Sequence, residues 1–183
     1  MLPSKIDEML KNNMTAKGYE MVINIDTRLN PQWERAASST GKYHRTSDGT
    51  SQTIAEHTGE MLNAAIKIMK CLRLTKNTGD CDSFLMSIAL HDVRKYTYVE
   101  QRHTNKRHDT EMANILHFNK DKLGTILNES QIHKLEEGVR MHGGIWSSDA
   151  NKNFDLNELS AEALIVHILD MLSCNNLLRE DLK

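Results

Sequence analysis

Ile54, Met61, Ala65, Ile68 and Leu72 recur at helical spacing, and stripes of this kind along the chain constrain its fold more than any other feature. Ile6, Met9 and Leu10 make one such stripe, Met112, Ile115 and Leu116 another, and Ile132, Leu135 and Val139 a third. Leu, Ile and Met dominate the apolar set and there are only two prolines, a profile that favours helices over a sheet sandwich. With few aromatics, Met fills much of the core. The spacing predicts helices over 3–13, 51–72, 108–119, 128–141 and 159–178, with one more running through Phe84 and Ile88 to about residue 93. Asp80 or Asp82 is the expected N-cap of that helix. Residues 19–26 read equally as a short strand or a continuing helix. Residues 36–50, 75–82, 96–106 and 147–157 read as loops, and Gly143-Gly144 stops the helix before it. The expectation is an all-α protein: a single compact helical domain of about six to eight helices.

A chain of 183 residues can bury one sizeable core. The formal charge of −2 argues against a generally basic nucleic-acid coat, though not against a local basic groove. Cys71, Cys81 and Cys174 form no C-x-x-C pair and no disulfide framework, which suits free thiols in a reducing compartment. No apolar run approaches the roughly 18–20 residues needed to span a bilayer. The opening MLPSKIDEML carries charges where a signal peptide needs an apolar stretch. A cytoplasmic protein with no membrane partner is expected.

The chain has nine histidines, and their positions are more informative than their number. His57 lies three residues after Ile54 and four before Met61, so it projects from the apolar face of its helix. His91 and Asp92 end the apolar run FLMSIAL. Asp170 follows Ala163 and Val166 at i−7 and i−4, inside an apolar stripe, where a carboxylate is costly unless it is paired or ligates a cation. Four inward N and O donors on separate helices suit a divalent ion. Gln101–His108 concentrates Arg102, Lys106 and Arg107, either a solvated face or a phosphate-binding one.

His57, then the doublet His91-Asp92, then Asp170 resembles the signature of the HD superfamily of metal-dependent phosphohydrolases. ALHDVRKY resembles the form in which the doublet is followed by a lysine, here Lys95. HDTEMANIL, from His108, resembles the next helix of HD phosphodiesterases, whose first histidine can bind a second metal. VRMHGG, with His142, resembles the later histidine motif, and ELSAEALIVHILDMLS the closing helix. AASSTGKYH followed by EHTGEML resembles the entry segment of HD proteins related to bacterial 3′–5′ exoribonucleases. The likeness covers about residues 36–178. It departs where Arg94 replaces the glycine of the HDIGK form and where Gly143 follows His142 in place of a second histidine.

The resemblance implies an HD domain over 36–183 and does not explain residues 1–35, which are expected to be an N-terminal helical extension packed on that domain. It implies a divalent ion (Mn, Mg, Fe, Co, Ni or Zn) held by His57, His91, Asp92 and Asp170. His108 and His142 either ligate a second ion or line the pocket and protonate the leaving oxygen. Asp92 also orients the attacking water, while Lys95 and Arg94 meet the substrate phosphate. Lys42 and His44 form a pocket wall, and His167, three residues before Asp170, sits behind the ligands. The expected reaction is hydrolysis of a phosphoester or phosphoanhydride in a small mono-, tri- or cyclic nucleotide. Two alternatives stand beside it: 3′–5′ cleavage of single-stranded RNA or DNA, and a non-catalytic nucleotide-sensing module. Association into a homo-oligomer through exposed apolar helix faces is left open.

Overall fold

The end of each helix is set by its local chemistry. In a computed structural model, which describes residues 1–38, 44–46, 49–76, 78–149, 155–175 and 177–178, the described residues form eight α-helices and no strand. They are α1 Ser4–Asn13, α2 Ala16–Leu29, α3 Ile54–Cys71, α4 Gly79–Leu90, α5 His108–Phe118, α6 Lys120–Leu123, α7 Glu129–Arg140 and α8 Ala161–Cys174. Two short 3-10 turns, Gly144–Trp146 and Leu156–Glu158, precede α8. The all-helical expectation holds. None of the described helices is long and apolar enough to cross a membrane.

Capping boxes open α3 and α7. Thr53 Oγ1 accepts from the Glu56 N–H at 3.1 Å while Glu56 Oε2 accepts from the Thr53 N–H at 2.8 Å. Asn128 and Gln131 repeat the exchange at 3.0 and 2.9 Å. Each box satisfies backbone donors that a helix start leaves without partners. The ambiguous stretch 19–26 is helical: Thr15 caps α2, and Asn30 ends it in the left-handed region at φ 46°.

The expected cap of α4 is corrected. Thr78, not Asp80 or Asp82, is the N-cap, its hydroxyl accepting from the Cys81 N–H. The helix starts earlier than its apolar run, so Asp82 falls in the first turn and faces α2. There it accepts from the Thr15 N–H at 2.9 Å and the Thr15 hydroxyl at 2.5 Å. A Cβ on Gly18 would lie 2.3 Å from Asp82 Oδ2, so this approach of α2 to α4 requires glycine. The last helix is also shorter than 159–178. Ser160 caps it, and its first expected residues lie in or just after the 3-10 turn. The short α6 had no periodic signal, though its Leu123 is buried.

Every residue of α4 from Cys81 to Leu90 is buried, which makes it the central helix. α7, α3, α2, α8 and α1 all pack on it. Leu2, just before α1, and Ile6, Leu10 and Val22 of the first two helices belong to the same apolar core as Met61, Leu85 and Val166. Asp26 anchors this end of the chain by accepting from Trp33 Nε1 at 2.8 Å and pairing with the terminal amine at 3.2 Å.

Candidate metal centre

Six polar side chains converge at the ends of five helices. His57 projects from the first turns of α3. His91 is the C-cap of α4 and Asp92 follows it. His108 opens α5, His142 lies just beyond α7, and Asp170 sits in the last turns of α8. His57, His91, Asp92, His142 and Asp170 are buried, and His108 is half-buried.

The rings are fixed by what their outer nitrogens touch. His91 Nδ1–H donates to Ile88 O at 2.6 Å, His108 Nδ1–H to Asn105 O at 2.8 Å, and His142 Nδ1–H to Val139 O at 2.8 Å. The first and last of these carbonyls lie at helix C-termini, where carbonyls lack intrahelical donors, so each histidine also finishes its helix. His57 is held through a relay. Ser173 Oγ donates to Glu60 Oε2 at 3.1 Å, which leaves that oxygen to accept from His57 Nδ1–H at 2.9 Å. All four rings therefore turn Nε2 inward as the bare nitrogen, the tautomer that suits metal ligation.

These bare nitrogens meet one another and two carboxylates. His57 Nε2 lies 3.1 Å from His91 Nε2 and 3.0 Å from Asp170 Oδ1. His91 Nε2 lies 3.3 Å from Asp92 Oδ2 and 4.0 Å from Asp170 Oδ1, and His57 Nε2 is 3.7 Å from Asp92 Oδ2. On the far side of the same carboxylate, Asp92 Oδ1 lies 3.1 Å from His108 Nε2 and 3.6 Å from His142 Nε2, which are 3.3 Å apart. Ligands about 2.1 Å from a shared ion lie roughly 3.0–3.4 Å apart at angles of 90–109° and farther apart when more nearly opposed. The observed edges fall in that range. Among the described residues two groups meet the requirement for a common ion: His57, His91 and Asp170, and His91, Asp92 and His142.

Asp92 Oδ1 is buried and accepts no aligned hydrogen bond, though the bare nitrogens of His108 and His142 approach it and each other, and those of His57 and His91 meet beside Oδ2. Lone pairs so placed in a low-dielectric interior repel unless a positive charge sits among them. The ionisation states agree. Burial drives His57 below its ordinary value, and it takes His142 down to about 4, so both stay neutral near pH 7. His91 moves the other way: burial opposes its charged form, but Asp92 beside it outweighs burial. Burial also disfavours the charged forms of Asp92 and Asp170. His91 and Lys95 nonetheless hold Asp92 well below the carboxylate range, and the neighbouring imidazoles, His57 first among them, do the same for Asp170.

The remaining predicted residues fall into three groups. Lys95 is buried and clamps its ammonium on Asp92 Oδ2, the oxygen facing His91. His44 is buried in the left-handed region at φ 57°. Its ring packs edge-on against His57 with centroids 4.3 Å apart, and its Nε2 lies 3.1 Å from Cys174 Sγ. Behind the centre, His167 Nδ1–H donates to the backbone carbonyl of His142 at 2.7 Å. Arg94 reaches Glu111 at 3.6 Å. Arg102, Lys106 and Arg107 are exposed, and their side chains do not line the cleft described next. Lys42 lies outside the described residues.

A cleft of about 450 Å³ opens over the centre, walled in part by His44, His108, Asp170 and Cys174 and in part by Ala37, Trp146 and Met171. Cys174, Ser173, Glu60 and Trp146 were not anticipated from the sequence. Ser173 and Cys174 stand three and four residues after Asp170, and Glu60 three after His57, so helical spacing alone puts them on the ligand faces. Trp146 sits in an irregular turn and had no such signal. Burial and the charge of Asp170 push the Cys174 thiol well above its ordinary value, which keeps it protonated.

Searches of protein-family models, of curated proteins and of solved structures return no match. The chemistry of the centre therefore stands on its own geometry: buried His/Asp groups able to hold a divalent ion.

Proposed function

We propose that the protein is a metal-dependent phosphohydrolase of the HD type, acting on the phosphoester or phosphoanhydride bond of a nucleotide. The observation that carries this reading is Asp92, whose two oxygens each face a pair of inward histidine nitrogens beneath an open cleft. His57, His91, Asp92 Oδ2 and Asp170 would hold one ion. His108, His142 and Asp92 Oδ1 would hold a second. The donor set, imidazole with carboxylate, suits Mn, Fe, Co, Ni or Zn, with Mg less favoured by so many nitrogens. Structural sites are normally closed by protein ligands on all sides. Here His108 and Asp170 line the cleft, which favours chemistry over scaffolding.

A divalent ion at such a site supplies charge that polarises a phosphoryl oxygen and acidifies water toward neutrality. The chain's residues do the rest. Asp92 and Asp170, both ionised, orient the water as acceptors. Lys95, paired to Asp92, adds positive charge under the centre that offsets charge developing on the phosphoryl group. His108, on the cleft wall, is placed to take the proton of the attacking water on Nε2 and pass it to the leaving oxygen when it is not holding an ion. Hydrolysis then gives an alcohol or phosphate and a phosphate product, with no covalent protein intermediate.

The test is a screen of the metal-stripped chain, resupplied with each divalent ion in turn, against bis(p-nitrophenyl) phosphate and a nucleotide panel that includes cyclic and oligonucleotide members. Turnover that appears only with added ion is expected. Inactivity across all ions and substrates, with folding shown by circular dichroism, overturns the reading. Preference for a ten-nucleotide strand with steep salt dependence would move the substrate to single-stranded nucleic acid.

A further inference from the structure

We infer that Trp146 is the platform on which the substrate's nucleobase stacks, so that the cleft takes a compact nucleotide with its ring on the indole and its phosphate over the His/Asp centre. The inference rests on the phosphohydrolase reading for the direction of the phosphate, and on the following geometry for the ring.

Trp146 is 70 % exposed, whereas the chain's other tryptophan, Trp33, is 5 % exposed and hydrogen-bonded to Asp26. An indole left largely in water does nothing for the core. Its place is nevertheless fixed. The turn that carries it begins at His142 and is tied by Gly144 N–H to Met141 O at 2.8 Å and by Trp146 N–H to Gly143 O at 3.1 Å. Gly144 takes φ 58° and presses so closely on His167 that a Cβ there would lie 2.5 Å from the ring. Just past the indole, Ser148 donates through N–H and Oγ to the two oxygens of Asp109, at 2.6 and 2.5 Å. Asp109 is the neighbour of His108. The turn is thus pinned at both ends to residues that adjoin the centre, and the backbone that carries the indole keeps a fixed place relative to His108 and His142.

The cleft that this indole lines reaches His108 and Asp170, and its volume of about 450 Å³ is that of a small-molecule site. Its lining divides into His108 and Asp170, which suit a divalent ion and through it a phosphate, and apolar surface from Trp146, Met171 and Ala37 that suits a flat ring. Stacking on an aromatic face is tolerant of base identity, so the platform selects for a base rather than for one base. A sugar phosphate without a base would use the same centre and leave the indole wet.

The experiment compares nucleoside 5′-monophosphates with ribose 5-phosphate, using the full chain loaded with Mg²⁺ or Mn²⁺. Wild type should favour the nucleotides in kcat/KM by about five- to a hundredfold, the span of one base–aromatic stack. Trp146→Ala should lower nucleotide kcat/KM to the ribose 5-phosphate level, chiefly through KM, and Trp146→Phe should keep most of the preference. Nucleotides, unlike ribose 5-phosphate, should also protect the exposed tryptophan emission from acrylamide quenching in the presence of Mg²⁺. Equal turnover of both substrates, unchanged in Trp146→Ala, overturns the platform and leaves the phosphohydrolase standing. Protection by nucleotides with no turnover here or across the wider ion and substrate panel supports the platform and removes the hydrolase. Neither protection nor turnover across that panel overturns both.

Discussion

Gly144→Ala tests whether the turn behind the centre is as tightly fixed as its geometry implies. The backbone there has φ 58°, and the new Cβ would sit 2.5 Å from His167 Cε1 and 2.9 Å from both ring nitrogens. The left-handed conformation costs a non-glycine residue about 1–2 kcal/mol. The ring must also move to reach ordinary contact, which breaks the 2.7 Å bond from His167 Nδ1 to His142 O. Losing that bond in a buried setting costs about 1–3 kcal/mol. Reduced freedom of the unfolded chain returns roughly 0.4–1 kcal/mol. The net loss is about 2–4 kcal/mol, or roughly 4–16 °C in Tm for a chain of this size. Gly49→Ala is the internal control. Gly49 has φ 83° but nothing within 4 Å of its Cβ, so it carries the backbone cost without the clash. Thermal melts of the two variants should differ by the His167 contribution, and Gly144→Ala with His167→Ala should recover part of it. Metal content after dialysis should fall in Gly144→Ala and not in Gly49→Ala, because only the former disturbs His142. Equal melting points and equal metal content would refute the idea that this turn holds the ligand.

Asp92→Asn should abolish metal retention and, even without metal, destabilise the protein by about 3–5 kcal/mol, because Lys95 is left buried beside a neutral amide; urea denaturation and metal analysis check both, and retention of metal would sink the ligand assignment. Adding Lys95→Met should recover stability but not metal. The chelator-treated protein should lose stability as pH falls below about 6.5, the unfolded histidine value. Burial holds His44 at about 3 and His142 at about 4 in the fold, so the unfolded chain binds those protons first, and each ring removes about 1.4 kcal/mol per pH unit until its own folded value is reached. His91, raised by Asp92 against its burial, works oppositely, with stability present below its unfolded value and lost as pH rises through the folded one; urea midpoints that rise steadily from pH 7 to 5 would contradict the balance. Cys174→Ser should retain hydrolysis and metal, since a thiol kept protonated is no nucleophile, and loss of single-turnover activity with metal still bound would show otherwise.

Much of this architecture is legible in the sequence because helices announce themselves locally. The stripe through Ile54 and Met61 places His57 inward before any tertiary fact is known, and Asn128 marks the start of α7. Legibility fails where a competing contact decides the outcome. Asp82 looks like a cap by type and position, yet Thr15 claims its oxygens across a distance of 67 residues. Residues 19–26 fit two periods at once, and it was the cap at Thr15 and the end at Asn30 that made them helical.

The candidate centre divides along the same line. Which residues turn inward can be read from spacing, but how a carboxylate's two oxygens are shared cannot. Asp92 stands next to His91 in the chain and looks like one more ligand to the same ion. In three dimensions its Oδ2 serves His57 and His91 while its Oδ1 faces His108 and His142, two side chains contributed by elements that lie 34 residues apart. Whether the centre has one cation position or two is therefore decided by how α5 and the end of α7 are held against α4. Of the bonds that hold them, His167 to the His142 carbonyl is hinted at by the spacing of His167 from Asp170, but Ser148 to Asp109 has no periodic signal. They also carry Trp146. A chain in which those bonds slackened would keep every residue of the His/Asp pattern and could still lose the second half of the centre together with the apolar wall of its cleft.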